Sequence, residues 1–218
     1  DWEQLYRSLN MVIELDQKNI GAHLKLGRLL VAAGQLDKAL TISDSVKALD
    51  PERPAVMAFR ASVLFKLDDR KAAVALAKTV LEKDPKNVDA LLVLASERMA
   101  AGDAAKAVEY LDVGIEADEK NIALQLIKVR ALLELGKPDA VEEILRRLIV
   151  LYPDDPGFKY SLARFYLAHG KKDKAEAEFR AVVAANPKDV NAKIEVVRFL
   201  ASVQGSKAAT AELQSLLS

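Results

Sequence analysis

The sequence predicts an all-α solenoid of antiparallel helix pairs, and three observations lead there. Small residues recur at steps of thirty-four residues or twice that: Gly27, Ala61, Ala95 and Ala163 form one series, and Ala39, Ala73, Ala107 and Ala175 a second. Chain-turning residues recur in the same phase, with Gly34, Asp68, Gly102 and Gly170 inside the unit and Asp50-Pro51, Asp84-Pro85 and Asn186-Pro187 closing it. Between these marks the apolar residues fall at spacings of three and four, which is helical. A fixed period between 20 and 50 residues is the mark of a stacked repeat array. Each unit in such an array buries its apolar face only against its neighbours.

A frame set at Ile20 gives one array over 1–218, with units 20–53, 54–87, 88–121, 122–155 and 156–189. Residues 190–218 then form a C-terminal capping repeat, and 1–19 the second helix of a truncated repeat. Extended backwards, the frame puts residue 1 at the turn between two helices. A chain rarely starts with half a hairpin, so a fragment of a longer protein is expected. Trp2, Leu5, Leu9 and Val12 form the apolar stripe of that lone helix. Without a preceding helix to cover it, the stripe is expected to drive self-association.

The first complete unit shows how each element is specified. His23, Leu24, Leu26, Gly27 and Leu30 carry its first helix, and Gly34 ends it by taking a left-handed conformation. Leu36, Ala39, Leu40, Ser43, Val46 and Leu49 carry the second helix, which Pro51 stops. Gly27 and Ala39 are expected where the two helices of the unit cross, since larger side chains would push the axes apart. In the second unit Asp68-Asp69 replaces the glycine, which predicts a turn capped by aspartate. The fourth unit diverges most: Val129 and Val141 stand at the small positions, and Pro138 fits a first helical turn. An altered hairpin angle is expected there. In the last helix Ala209, Leu213, Leu216 and Leu217 make an apolar face, and Lys207, Thr210, Gln214 and Ser215 a polar one that suits the end of an array.

Composition narrows the function. The 218 residues include 32 basic and 32 acidic side chains. That balance argues against a nucleic-acid surface, which needs a basic excess. The charge is unevenly spread: 17 Lys/Arg against 20 Asp/Glu give −3 over 1–121, and 15 against 12 give +3 over 122–218. There is no cysteine, which excludes disulfides and thiolate metal sites and suits cytosol and periplasm alike. No apolar run approaches the roughly 20 residues that span a bilayer, and DWEQLYRSLN lacks the basic and apolar segments of a signal peptide.

With the repeats in this register, the chain resembles the tetratricopeptide repeat family. The resemblance rests on small residues at the eighth and twentieth places of the unit, on Tyr166 and Phe179 at the eleventh and twenty-fourth, and on Pro51, Pro85, Pro153 and Pro187 at the thirty-second. It implies a right-handed superhelix whose first helices line a concave groove. It also implies a non-enzymatic scaffold that holds a protein or peptide partner. The alternatives are a structural component of a bacterial envelope assembly, such as a polysaccharide-export or pilus system, and the regulatory region of a larger enzyme.

The ninth place of the unit faces the groove in this family, and here it reads Arg28, Ser62, Ser96, Arg130, Arg164 and Arg198. An arginine ladder suits an acidic peptide or a terminal carboxylate, because guanidinium presents a planar fork. The bland reading pairs these arginines with Glu97, Glu134 or Glu195 on neighbouring turns. Phe65, Met99 and Tyr160 are the aromatic and apolar groove candidates, Tyr160 lying one turn before Arg164; core packing is the competing reading for each. The two-carboxylate clamp that some members use for chaperone tails is absent from units one to three, which present Leu24, Arg28, Phe59, Asp89 and Val93 instead. His23 and His169 belong to distant units, and no phosphate-cradling glycine loop occurs. No catalytic residue, metal set or cofactor is therefore expected.

Overall fold

The computed structural model describes residues 2 to 217 and every side chain in that span except that of Leu217. The described residues form thirteen α-helices and no strand. None of these helices is long and apolar enough to cross a membrane. The chain divides into two compact units, Asp1–Gly136 and Lys137–Ser218. The boundary falls inside the repeat whose sequence diverges most.

The first unit holds α1 (Trp2–Leu15), α2 (Ile20–Ala32), α3 (Leu36–Leu49), α4 (Pro54–Lys66), α5 (Arg70–Lys83), α6 (Val88–Ala100), α7 (Ala104–Ala117) and α8 (Ile122–Glu134). The second holds α9 (Pro138–Leu151), α10 (Pro156–Ala168), α11 (Lys172–Ala185), α12 (Val190–Val203) and α13 (Ser206–Leu217). The even-numbered helices thus begin thirty-four residues apart, at Ile20, Pro54, Val88, Ile122, Pro156 and Val190.

Local chemistry explains the boundaries. Side chains of Asn19, Asn87, Asn121, Asp155 and Asp189 accept from backbone N–H groups that the first turns of α2, α6, α8, α10 and α12 leave without helical partners. α4 has no such cap and starts instead on Pro54, which has no N–H to satisfy. Gly34 takes φ +71° at the first turn, and Asp68 takes φ +66° at the equivalent place in the next repeat. Asp69 caps α5 by accepting from the Ala72 amide, so the aspartate turn is as expected.

In the first unit, α4 lies beside α2 and against α3, and α6 lies beside α4 and against α5. Ala39, Ala73 and Ala107 have no exposed surface, which lets paired helices approach closely. Gly27 has a different partner from the one expected. A Cβ there would lie 2.2 Å from the ring tip of Phe59, so it makes room for the first helix of the next repeat. Of the uncovered stripe expected on α1, only Leu9 departs from the expectation. Leu9, with Tyr6 and Ile13, packs on α2, while Trp2, Leu5 and Val12 stay exposed.

In the second unit α9 packs on α10, α10 on α11, α11 on α12 and α12 on α13. Aromatic contacts fill its core: Tyr160 meets Phe179 at 5.9 Å between centroids, and Phe179 meets Phe199 at 5.2 Å. Of the apolar face expected on α13, Ala209 is buried and Leu213 is exposed. Leu217 lies outside the described side chains.

Candidate partner-binding surface

The seven candidate residues fall into two sets, one in each unit. In the first, Arg28 on α2 reaches past the intervening repeat to Asp89 on α6. Its Nη2 and Nε donate to one Asp89 oxygen at 2.6 and 3.2 Å. This carboxylate was not among the expected partners, and it holds the Arg28 head in place. Met99 is only 6% exposed and belongs to the core cluster with Ala95, Ala107 and Leu111, so it is not a groove contact. The inward-facing stripe of α6 includes it because long apolar side chains close the gap to α7. Phe65 is half-buried, with the Arg70 guanidinium 5.7 Å from its ring centre. Arg130 is exposed and makes one 3.3 Å contact with Glu134 a turn later in its own helix.

In the second unit the structure brings Tyr160, Arg164 and Arg198 onto successive first helices. Arg164 is exposed and has no ion pair among the described residues. Arg198, also exposed, donates to Glu195 at 2.8 Å within α12. Tyr160 is half-buried on Phe179, so its ring serves as core as well as surface. Burial pushes its hydroxyl above the ordinary tyrosine range, Asp189 and Glu195 add to that, and the Arg164 charge opposes it. Arg164 is therefore the one candidate arginine here with unspent hydrogen-bonding capacity toward a carboxylate. The bland reading holds for Arg130 and Arg198, each bound to its own helix by a single exposed contact worth about 0–1 kcal/mol.

Sequence reasoning missed a polar network on α9, α10 and α11. Tyr166 is wholly buried, and its hydroxyl donates to Glu142 at 2.7 Å while accepting from Arg146 at 2.6 Å. Lys171 donates to the other Glu142 oxygen at 3.2 Å, and Lys174 stands 3.8 Å from the same carboxylate. The Tyr166 hydrogen bond, aided by those of Lys171 and Arg146, holds the Glu142 carboxyl at about 2. The one signal available was Tyr166 at the unit's eleventh place, because a buried hydroxyl needs a partner. That partner, twenty-four residues earlier, follows no repeat rule. The network ties three helices together and presents no open carboxylate.

These helical hairpins, with small residues where helices approach, define a helical repeat protein. Among the described residues no group of three or more His, Asp or Glu side chains is placed to hold a metal. The tetratricopeptide repeat profile matches residues 4–63, 64–128, 98–159 and 132–194, and the chain belongs to that family. Proteins of this family serve as protein–protein interaction scaffolds and are in general not enzymes. No curated protein matches the chain in sequence.

Solved structures share the fold. TTC0263, a thermophilic TPR protein of Thermus thermophilus, is 24% identical, with a TM-score of 0.60 over 83% of this chain and 98% of that one. The pilF protein of Pseudomonas aeruginosa is 15% identical, with a TM-score of 0.67 over 92% and 91% of the two chains. YrrB, described as a TPR protein with an unusual peptide-binding site, is 17% identical, with a TM-score of 0.52 over 84% and 95%.

Proposed function

We propose that the chain is an adaptor whose second unit holds an acidic peptide segment or terminal carboxylate between Arg164 and Arg198, with Tyr160 as the neighbouring aromatic contact. The observation that carries the reading is the exposed Arg164 head, which has no ion pair among the described residues and lies beside a half-buried tyrosine. Arg198 is the second arm, since its one contact to Glu195 is of the exposed kind that a better-placed carboxylate displaces at little cost. The +3 balance of residues 122–218 favours an acidic partner, and the likeness in fold to YrrB, described as having a peptide-binding site, supports a peptide as that partner. Single contacts of this kind are weak, so affinity depends on several acting together and falls as salt screens them.

The test is binding of a labelled glutamate-rich peptide, followed by fluorescence anisotropy. Arg164→Ala is expected to weaken binding by about fivefold, equivalent to about 1 kcal/mol, and Arg164→Ala with Arg198→Ala to weaken it further. An affinity unchanged in the double variant, or unaffected by salt, eliminates this reading.

A further inference from the structure

The end of the second unit repeats a surface that is covered everywhere else in the molecule. α12 and α13 frame an open groove of about 370 Å³ lined by Val190, Ile194, Val197, Leu213 and Leu216, with Lys193 and Arg198 at its rim. Within it Val190 is 65% exposed and Leu213 46%. The residues that precede Leu213 by multiples of thirty-four are Phe179, Leu145, Leu111, Ala77 and Ser43, and all five are buried. Those that precede Leu216 by the same steps are Val182, Leu148, Gly114, Val80 and Val46, and all five are buried as well. The exposed leucine is thus an exception to its own series.

What buries the earlier members is the same in each case: the first helix of the following repeat. α4 does so with Val56, Phe59 and Val63, which share one core cluster with Val46, and with Arg60, which donates to the Ser43 hydroxyl at 3.2 Å. α8 does so with Leu124, whose methyl group would lie 2.9 Å from a Cβ at Gly114. α12 does so with Phe199, whose ring stands 5.2 Å from that of Phe179. The covering helices are 13 or 14 residues long. The charges repeat too. Lys159 and Arg164 stand thirty-four residues before Lys193 and Arg198, and α12 carries Glu195 and its cap Asp189 into the field of Tyr160 between them.

We propose that the α12/α13 groove is a docking site for an amphipathic helix of about thirteen residues from a partner protein, apolar on one face and acidic at its first turns. The recurrence within the chain fixes the length and the apolar face, and the Lys193–Arg198 rim fixes the charge. Binding here is helix capture at the end of the array, distinct from a peptide lying along the Arg164 face. Arg198 is common to both surfaces, so Leu213 and Arg164 are the residues that tell them apart.

The chain supplies its own probe, because residues 189–203 cover the equivalent groove one repeat earlier. A synthetic peptide of that sequence, held helical by a staple between its outward positions 194 and 198, is titrated into the whole chain. Saturable binding is expected, weakened at least tenfold by Leu213→Glu and by Ile194→Glu, both exposed and so compatible with folding. Arg164→Ala is expected to leave it unchanged, and Phe199→Ala in the peptide to abolish it. No saturable binding by chain of native helicity overturns the proposal, as does equal binding by the Leu213→Glu variant. Concentration-dependent association of the chain alone, dissolved by either Leu213→Glu or Leu5→Glu, also overturns it, because the occupant is then α1 of a second copy.

Discussion

Two glycines in α2 allow the contact between successive repeats to be weighed against helix propensity in one helix. A Cβ at Gly27 would lie 2.2, 2.8 and 2.9 Å from three atoms of the Phe59 ring, and Phe59 is only 1% exposed, so the ring has nowhere to go. A Cβ at Gly21 would meet nothing closer than the Asn19 side-chain oxygen, at 3.4 Å. Alanine in place of glycine improves helix propensity by up to about 1 kcal/mol at either site. Overpacking at Gly27 costs about 1–3 kcal/mol against that gain. Gly27→Ala is therefore expected to be neutral to about 2 kcal/mol destabilising, and Gly21→Ala stabilising. Urea denaturation followed by circular dichroism reads both variants, and their difference of about 1–3 kcal/mol isolates the Phe59 contact because the propensity gain cancels. Adding Phe59→Leu is expected to erase most of the Gly27→Ala penalty. A Gly27→Ala protein as stable as Gly21→Ala would show that Phe59 does not pack as described.

Three further outcomes follow from buried or strained positions. The Glu142 carboxyl sits below its ordinary 4.5, at about 2, so its contribution is complete above the unfolded value and is lost as pH falls toward the folded one. At about 1.4 kcal/mol per pH unit the ceiling is about 3 kcal/mol, which solvent access reduces to about 1; acid titration of stability in Glu142→Gln should lack that slope, and an identical slope refutes the network. Ala175→Leu, at a helix crossing with no exposed surface, should cost about 1–3 kcal/mol, while Ala184→Leu, on the exposed side of α11, should stay within about 0.5; equal denaturation midpoints would contradict the assigned phase. Asp68→Gly relieves a left-handed aspartate at the loss of an exposed ion pair to Arg70, and should raise stability by up to about 1 kcal/mol in thermal or urea unfolding.

Much of the fold was legible because its determinants are local or periodic. Gly34, Asp69 and Pro138 act within a turn of their own positions, and Ala39, Ala73 and Ala107 repeat often enough to reveal a shared steric role. Contacts between successive repeats were harder to read. Gly27 announces a close approach but not from which side, and only the placement of α4 names Phe59. The same ambiguity put Leu9 on the open stripe of α1 with Trp2, Leu5 and Val12, when it packs on α2 beside Tyr6 and Ile13. The candidate surface was legible as a row of places but not as a pattern of pairing. Long arginine side chains choose among several carboxylates, and Arg28 takes Asp89, sixty-one residues away, over nearer ones. The Tyr166–Glu142 bond escaped for the same reason, since it depends on how α9 and α10 lie together.

Arg164 and Arg198 are the two arms proposed to meet an acidic partner. The most direct measurement is side-chain NMR of the arginine Nε–H groups while the glutamate-rich peptide is added. Arg164 and Arg198 are predicted to shift together and saturate with a single affinity, while Arg28, held by Asp89, and Arg180, which donates to both Glu212 oxygens at 2.9 and 3.0 Å, stay in place. Saturating shifts confined to arginines other than Arg164 and Arg198, or no saturating shift at all, would contradict that proposal.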